Sequence, residues 1–192
     1  MVKWIKRLLF VLLAFLLALG VAFLRIKDTD NSTAFFKNGV WQGTTNLPLG
    51  KDPLITTQVS LFALFALPSE EAVYLFARKD NLGNKLDGAK DYTITGNIHQ
   101  LQANYWSITA YGKDLYLIPN EVNRFGFNKS TIVADSAGNF TIQISATSKE
   151  GNWLPAPAAS PFGLLLRIYQ GEKGFMEKLS STPLPELKMT KP

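Results

Sequence analysis

The sequence predicts a mainly β protein: an antiparallel β-sandwich, jelly-roll-like, with one packed helix, preceded by an N-terminal transmembrane helix. Three observations lead there. From residue 72 onward, short strand-like runs, two of them alternating apolar and polar, recur between turn-forming residues at roughly ten-residue spacing. Only one stretch outside the N-terminus, the one after Asp52-Pro53, carries helix-starting signals. Ahead of everything lies an unbroken apolar run of 17 residues, Leu8 to Leu24.

Composition narrows the classes of function. The 192 residues hold one domain and a short appendage. There is no cysteine, which excludes disulfides, zinc–thiolate sites, iron–sulfur clusters and cysteine nucleophiles. One histidine, His99, lacks the partners of a triad or a metal site and reads as a polar loop residue between strands. No cofactor and no metal are implied. The net charge of +5 suggests a nucleic-acid binder until it is divided along the chain. Residues 1–37 carry six basic and two acidic side chains, leaving 14 basic and 13 acidic for the rest. The globular part is nearly neutral and offers no basic stripe to a phosphate backbone, so nucleic acid is not an expected partner.

The N-terminal run has almost the length needed to cross about 30 Å of hydrocarbon, more so when Trp4 and Ile5 are added. A helix satisfies its own backbone hydrogen bonds there. A buried core helix would show a polar face, and none is present. A cleaved signal peptide is the serious rival, with Lys3, Lys6 and Arg7 ahead of the run and small residues near Gly20. The run exceeds a usual signal core, which favours a retained anchor. The resulting division is a basic cytoplasmic stub at 1–7, an anchor at 8–24, a linker at 25–37, a β-sandwich at 38–187 and a tail at 188–192. The positive-inside rule then places a single-pass protein in the inner, cytoplasmic membrane with its C-terminal domain on the periplasmic or extracellular side. Asn31, Asn128 and Asn139 open formal glycosylation sequons, which read here as loop polarity.

Asp52 is a good helix N-cap and Pro53 suits the first helical position. The helix should run up to Pro68, with Val59, Phe62, Ala63 and Ala66 on one face and Leu61, Leu64 and Phe65 opposite, hence buried on much of its circumference. Strands are expected at Ala72–Arg78, Asp91–Gly96, Tyr105–Tyr111, Leu115–Ile118, Phe140–Ala146 and Phe162–Tyr169. The tail from Thr182 is punctuated by prolines and expected to be extended.

No nucleophile elbow, phosphate loop or dinucleotide fingerprint is present. Carboxylates at Glu70, Glu71, Asp80, Asp87, Asp91, Asp114, Glu121 and Asp135 fall mostly in turns, where Asp serves the backbone. Two clusters stand out. Alternation puts Tyr105, Ser107, Thr109 and Tyr111 on one strand face, with Asn120, Asn123 and Arg124 downstream. The second is Asn152-Trp153-Leu154-Pro155, with Arg167 and Tyr169 further on. Arg167 lies inside an apolar strand and needs a partner. The carbonyls of the 152–155 or 120–124 loops are the expected ones, which would make Arg167 a tie between loop and sheet. Trp153 is expected to pack its loop onto the sheet. Both clusters have a structural reading, as aromatic core and loop clamps. The functional reading is a ligand cleft lined by Tyr111, Asn120, Arg124, Asn152, Trp153 and Arg167.

At these residues the chain resembles a bacterial family, the domain of unknown function 1214, in its single-domain, membrane-anchored form. The resemblance rests on Asn38-Gly-Val-Trp41, Asp52-Pro53, Glu71-Ala-Val-Tyr74, Asp80 with Gly83 and Leu86, and Tyr92. It continues through Trp106-Ser-Ile-Thr109 with Tyr111, Pro119-Asn120, Asn123-Arg124, Asn152-Trp-Leu-Pro155 and Arg167-Ile-Tyr169. It covers about residues 38–187. It implies an antiparallel β-sandwich and a recurrent companion, the domain of unknown function 1254, but no activity. Relatives carry Arg, Asp and Pro where this chain has Thr56, Ala137 and Gly171. The first change puts in doubt any anion site such an Arg serves.

The leading expectation is a membrane-anchored envelope domain, not an enzyme, that binds the companion protein or a small polar ligand such as a glycan or lipid headgroup. The alternative is an envelope hydrolase using carboxylates or a tyrosine of the 105–111 strand. Two carboxylates facing each other in one cleft would favour the hydrolase.

Overall fold

The structure, a computed structural model, describes residues 2–28, 35–44, 52–62, 67–68 and 71–191. The chain forms two compact units, residues 1–35 with 47–66, and residues 36–46 with 67–192.

The first unit holds two helices. Helix α1 (Val2–Lys27) is apolar and exposed along its length, and its segment Lys3–Lys27, with a mean hydropathy of 2.7, is long and apolar enough to cross a membrane. It begins well before Leu8, because Lys, Arg and Trp extend a helix as readily as they flank one. The boundary at residue 7 is thus a change in charge, not in backbone. Arg25 and Lys27 lie in the last turn, where cations favour the helix dipole. Helix α2 (Pro53–Phe62) starts as expected: the Leu54 and Ile55 amides donate to Asp52 Oδ1 at 2.8 and 3.1 Å. Gln58 of α2 is buried and donates from Nε2 to the Arg25 carbonyl at 3.1 Å. The expected last turn at 63–66, the side chains of Leu61, Phe62 and Val59, and the sequon at Asn31 lie outside the described residues.

The second unit is a sandwich of two sheets. One has six strands in the order β1 (Phe36–Asn38), β2 (Trp41–Gly43), β3 (Ala72–Ala77), β9 (Phe162–Gly171), β5 (Ala103–Gly112) and β6 (Gly126–Asn128). The other has four, in the order β10 (Glu186–Lys191), β4 (Asp91–Asn97), β7 (Asn139–Ser145) and β8 (Asn152–Pro155). Alternation aims Leu75, Trp106, Ile108, Leu164, Leu166 and Ile168 of the first sheet into one core with Tyr92, Ile94, Phe140, Ile142, Ile144 and Leu187 of the second. The Trp106 ring stacks on Phe140 across the layers at 5.5 Å, and Tyr92 meets Phe162 edge-on at 5.8 Å. A short helix, α3 (Lys173–Glu177), buries Phe175 at the same core.

The fold expectation holds, with differences of detail. Leu115–Ile118 is a turn, with a bridge between Tyr111 and Leu117 in place of a strand pairing. Gly112 and Tyr116 close it, and Leu115 adopts φ 67°. Asn152–Pro155 is a strand, not a loop, and it pairs parallel to β7, so the sandwich is not wholly antiparallel. The tail pairs with β4 and runs across the boundary expected at residue 187. The hairpin β1–β2 closes the other edge. Asn38 Nδ2 donates to the Leu179 and Thr182 carbonyls at 2.8 and 2.6 Å, and Trp41 Nε1 to the Pro185 carbonyl at 2.7 Å.

Candidate functional site

Strand β5 behaves as its alternation requires. Trp106, Ile108 and Ala110 are buried in the core, and Tyr105, Ser107, Thr109 and Tyr111 face outward. Pairing extends this outer face sideways in register. Tyr74, Arg167 and Ser107 form one row across β3, β9 and β5, and Ala72, Tyr169 and Tyr105 form the next. Phe76, Leu165 and Thr109 form a third. The outer face of these three strands is therefore lined with tyrosine around one arginine.

Arg167 is half-buried. Its Nη1 donates to Thr109 Oγ1 at 3.2 Å, its Nη2 donates to Tyr111 Oη, and its guanidinium lies 5.6 Å from the Tyr111 ring centroid. No carboxylate pairs with it among the described residues. Tyr105 and Tyr169 lie side by side with ring centroids 5.7 Å apart. Burial pushes the Tyr169 hydroxyl above the usual tyrosine value of 10.0; the Arg167 cation opposes that shift.

The other four expected residues lie elsewhere. Asn120 closes the connection between β5 and β6. Its Nδ2 donates to the Ile118 and Arg124 carbonyls at 3.0 and 2.9 Å, and its Oδ1 accepts the Arg124 amide at 3.0 Å. Arg124 Nη1 donates to the Trp153 carbonyl at 2.9 Å, and its guanidinium lies 5.5 Å from the Phe127 ring centroid. Asn152 is buried. It accepts the Val133 amide at 2.9 Å and donates to the Val133 and Thr141 carbonyls at 2.7 and 3.1 Å. Trp153 pairs with Gln143 on the outward side of the four-stranded sheet, and its Nε1 donates to the Ser145 carbonyl at 3.0 Å.

Tyr111 and Arg167 thus share one outer face, while Trp153 faces outward on the opposite side of the sandwich. Asn120, Arg124 and Asn152 use their polar atoms to fix chain beside β8. The six residues do not line one cleft. The tie expected of Arg167 is made by Arg124 instead, because strand parity turns Arg167 away from the core and from β8. The two clusters seen in the sequence are re-sorted: Arg167 and Tyr169 join the Tyr105–Tyr111 face. Tyr74 and Phe76 belong to it as well. Sequence reasoning missed them, since only the β3–β9 pairing brings them there.

The carboxylates serve turns. Asp80, Asp87, Asp114 and Asp135 accept backbone amides at Leu82 and Asn84, Ala89, Tyr116, and Ala137 and Asn139 respectively. Those bonds, led by Asn139, hold the Asp135 carboxyl below its usual range. Asp91 pairs with Lys149 at 2.9 Å. His99 is exposed in the turn after β4, as expected.

One solved structure shares this architecture. Among curated proteins, none is detectably similar in sequence. The chain is similar to the VPA0106 protein of Vibrio parahaemolyticus, at 30% identity over 74% of this chain, with a TM-score of 0.58. It spans 36% of that protein's length. An uncharacterized protein from Burkholderia cenocepacia aligns at 15% identity over 93% of this chain and 49% of its own, with a TM-score of 0.44. Residues 71–173 match the family model "Protein of unknown function (DUF1214)". That span holds β3 through β9, and so the three strands that build the tyrosine-lined face and most of the core beneath it. The chain belongs to the DUF1214 family.

Proposed function

We propose that this is a non-enzymatic binding domain of the cell envelope. It is anchored in the inner membrane by α1, stands on the periplasmic or extracellular side, and uses the outer face of the six-stranded sheet to hold a small polar ligand. One observation carries the reading. The three central strands β3, β9 and β5 place tyrosines and a phenylalanine outward in consecutive rows and contain no aspartate or glutamate at all. Tyrosine offers wide, rigid contact area with a polar tip at small entropic cost. A hydrolase built on paired carboxylates finds no acid or base on these strands.

Two measurements test the proposal. A phosphatase fused after residue 38 should be active and a fluorescent cytoplasmic reporter at the same place dark; the reverse result would place the domain in the cytoplasm. The mass of the mature chain separates anchor from cleaved leader. For binding, the full chain extracted from its native membrane should carry a small molecule in native mass spectrometry, and Tyr105→Ala with Tyr169→Ala should lose it. Equal retention by that variant would remove the face from consideration.

A further inference from the structure

Resting on the reading of this face as a binding surface, we infer that its ligand carries an oxyanion, a carboxylate or a phosphate, seated on Arg167. The argument begins with charge. Arg167 is the single charged residue on β3, β9 and β5. It is half-buried and has no carboxylate partner among the described residues. A guanidinium taken partly out of water without a counter-ion is costly, and a bound anion supplies the missing charge.

The neighbouring hydroxyls strengthen the assignment. Thr109 Oγ1 and Tyr111 Oη both accept from Arg167. Each therefore directs its own O–H hydrogen away from the guanidinium. Arg167 keeps three further N–H donors beyond the two it has used. The cluster is then a set of donors with no acceptor charge, the pattern that suits an oxyanion and repels a cation. A neutral sugar offers donors as well as acceptors and would leave much of this set unmatched. Tyr105 and Tyr169, two residues along the same strands from Ser107 and Arg167, give the rest of the ligand an aromatic shelf.

The experiment uses the full chain in nanodiscs of zwitterionic lipid, with calorimetric titration of four probes. D-glucuronate and glycerol phosphate carry the oxyanion, as an acidic sugar and as a lipid-headgroup fragment; glucose and glycerol are their neutral counterparts. At least one acid should bind about tenfold or more tightly than its neutral counterpart, and which acid does so identifies the source. Arg167→Met should lose that preference, while Tyr111→Phe, which keeps the ring and removes one donor, should weaken it severalfold. Lys188→Met, on the opposite outer face, should leave it unchanged. Thermal melts establish that each variant is folded, and Tyr111→Phe keeps the test decisive should Arg167→Met fail to fold. Equal binding of acids and neutral probes, or undiminished preference in Arg167→Met, overturns the inference but leaves the face as a binding surface. If all four probes fail to bind while Tyr105→Ala with Tyr169→Ala still strips a small molecule from the native protein, the oxyanion inference falls and the binding face stands. If that variant strips nothing, both fall.

Discussion

The two outward faces of the sandwich have the same backbone and opposite chemistry. On the four-stranded sheet, Thr93, Thr95, Thr141, Gln143, Glu186 and Lys188 stand outward, a mainly polar surface with Trp153 as its one aromatic. On the six-stranded sheet the equivalent positions hold Tyr74, Phe76, Tyr105, Tyr111, Leu165 and Tyr169 around Arg167. The core-facing sides are alike, since both must exclude water. The difference teaches that the shared core does not dictate the chemistry of the outer faces, and the proposed binding role rests on that difference. Polar residues divide the same way. Beside the four-stranded sheet, Asn152 is spent on backbone, whereas Arg167 on the other face is bonded only to hydroxyls.

The sharpest way to break this comparison is to truncate one outward side chain on each face. Leu165 is 6% exposed although it points away from the core. Leu165→Ala should cost about 2–5 kcal/mol in chemical denaturation, whereas Thr95→Ala, on the opposite face, should stay within about 0.5 kcal/mol. Equal small losses would mean that the two faces are equivalent.

A second contrast concerns the polar residues. Asn152→Leu leaves the Val133 amide and two carbonyls without partners and should cost about 2–4 kcal/mol. Arg167→Met should cost at most about 1 kcal/mol, because the half-buried Thr109 and Tyr111 hydroxyls can turn to water. Thermal melts rank the two. The reverse order would restore Arg167 as the architectural tie.

The smallest effects are in pH dependence. Bonds from Asn139 and its neighbours favour the ionised Asp135. A depressed carboxyl contributes stability above its unfolded value, and that contribution is lost as pH falls through the folded one. Asp135→Asn should therefore flatten the acid limb of a stability–pH curve. Tyr169 behaves oppositely: burial favours its neutral form, so stability declines as pH rises past 10.0. Tyr92, also raised by burial, ionises late as well. Absorbance titration should show late-ionising tyrosine, and Tyr169→Phe should remove part of it.

Much of this protein is decided by the sequence alone. The apolar run before Arg25, the Asp52-Pro53 helix start, the alternation in residues 91–96 and 105–111, and the turn-bounded runs at 72–78, 140–146 and 162–169 are local signals, and local backbone energetics obey them. Strand parity even placed Tyr105, Ser107, Thr109 and Tyr111 on one side before any pairing was known. What the sequence could not decide was non-local. Residues 126–128 and 152–155 are too short to show a period; they become strands because β5 and β7 offer them unpaired edges. The tail becomes β10 for the same reason. Arg167 reads as the arginine in search of a carbonyl, and only the tertiary structure gave the Trp153 carbonyl to Arg124 and sent Arg167 to a face of tyrosines. Parity fixes which residues share a side of one strand, but which strands lie next to each other is set by long-range pairing, and the site is a property of the pairing.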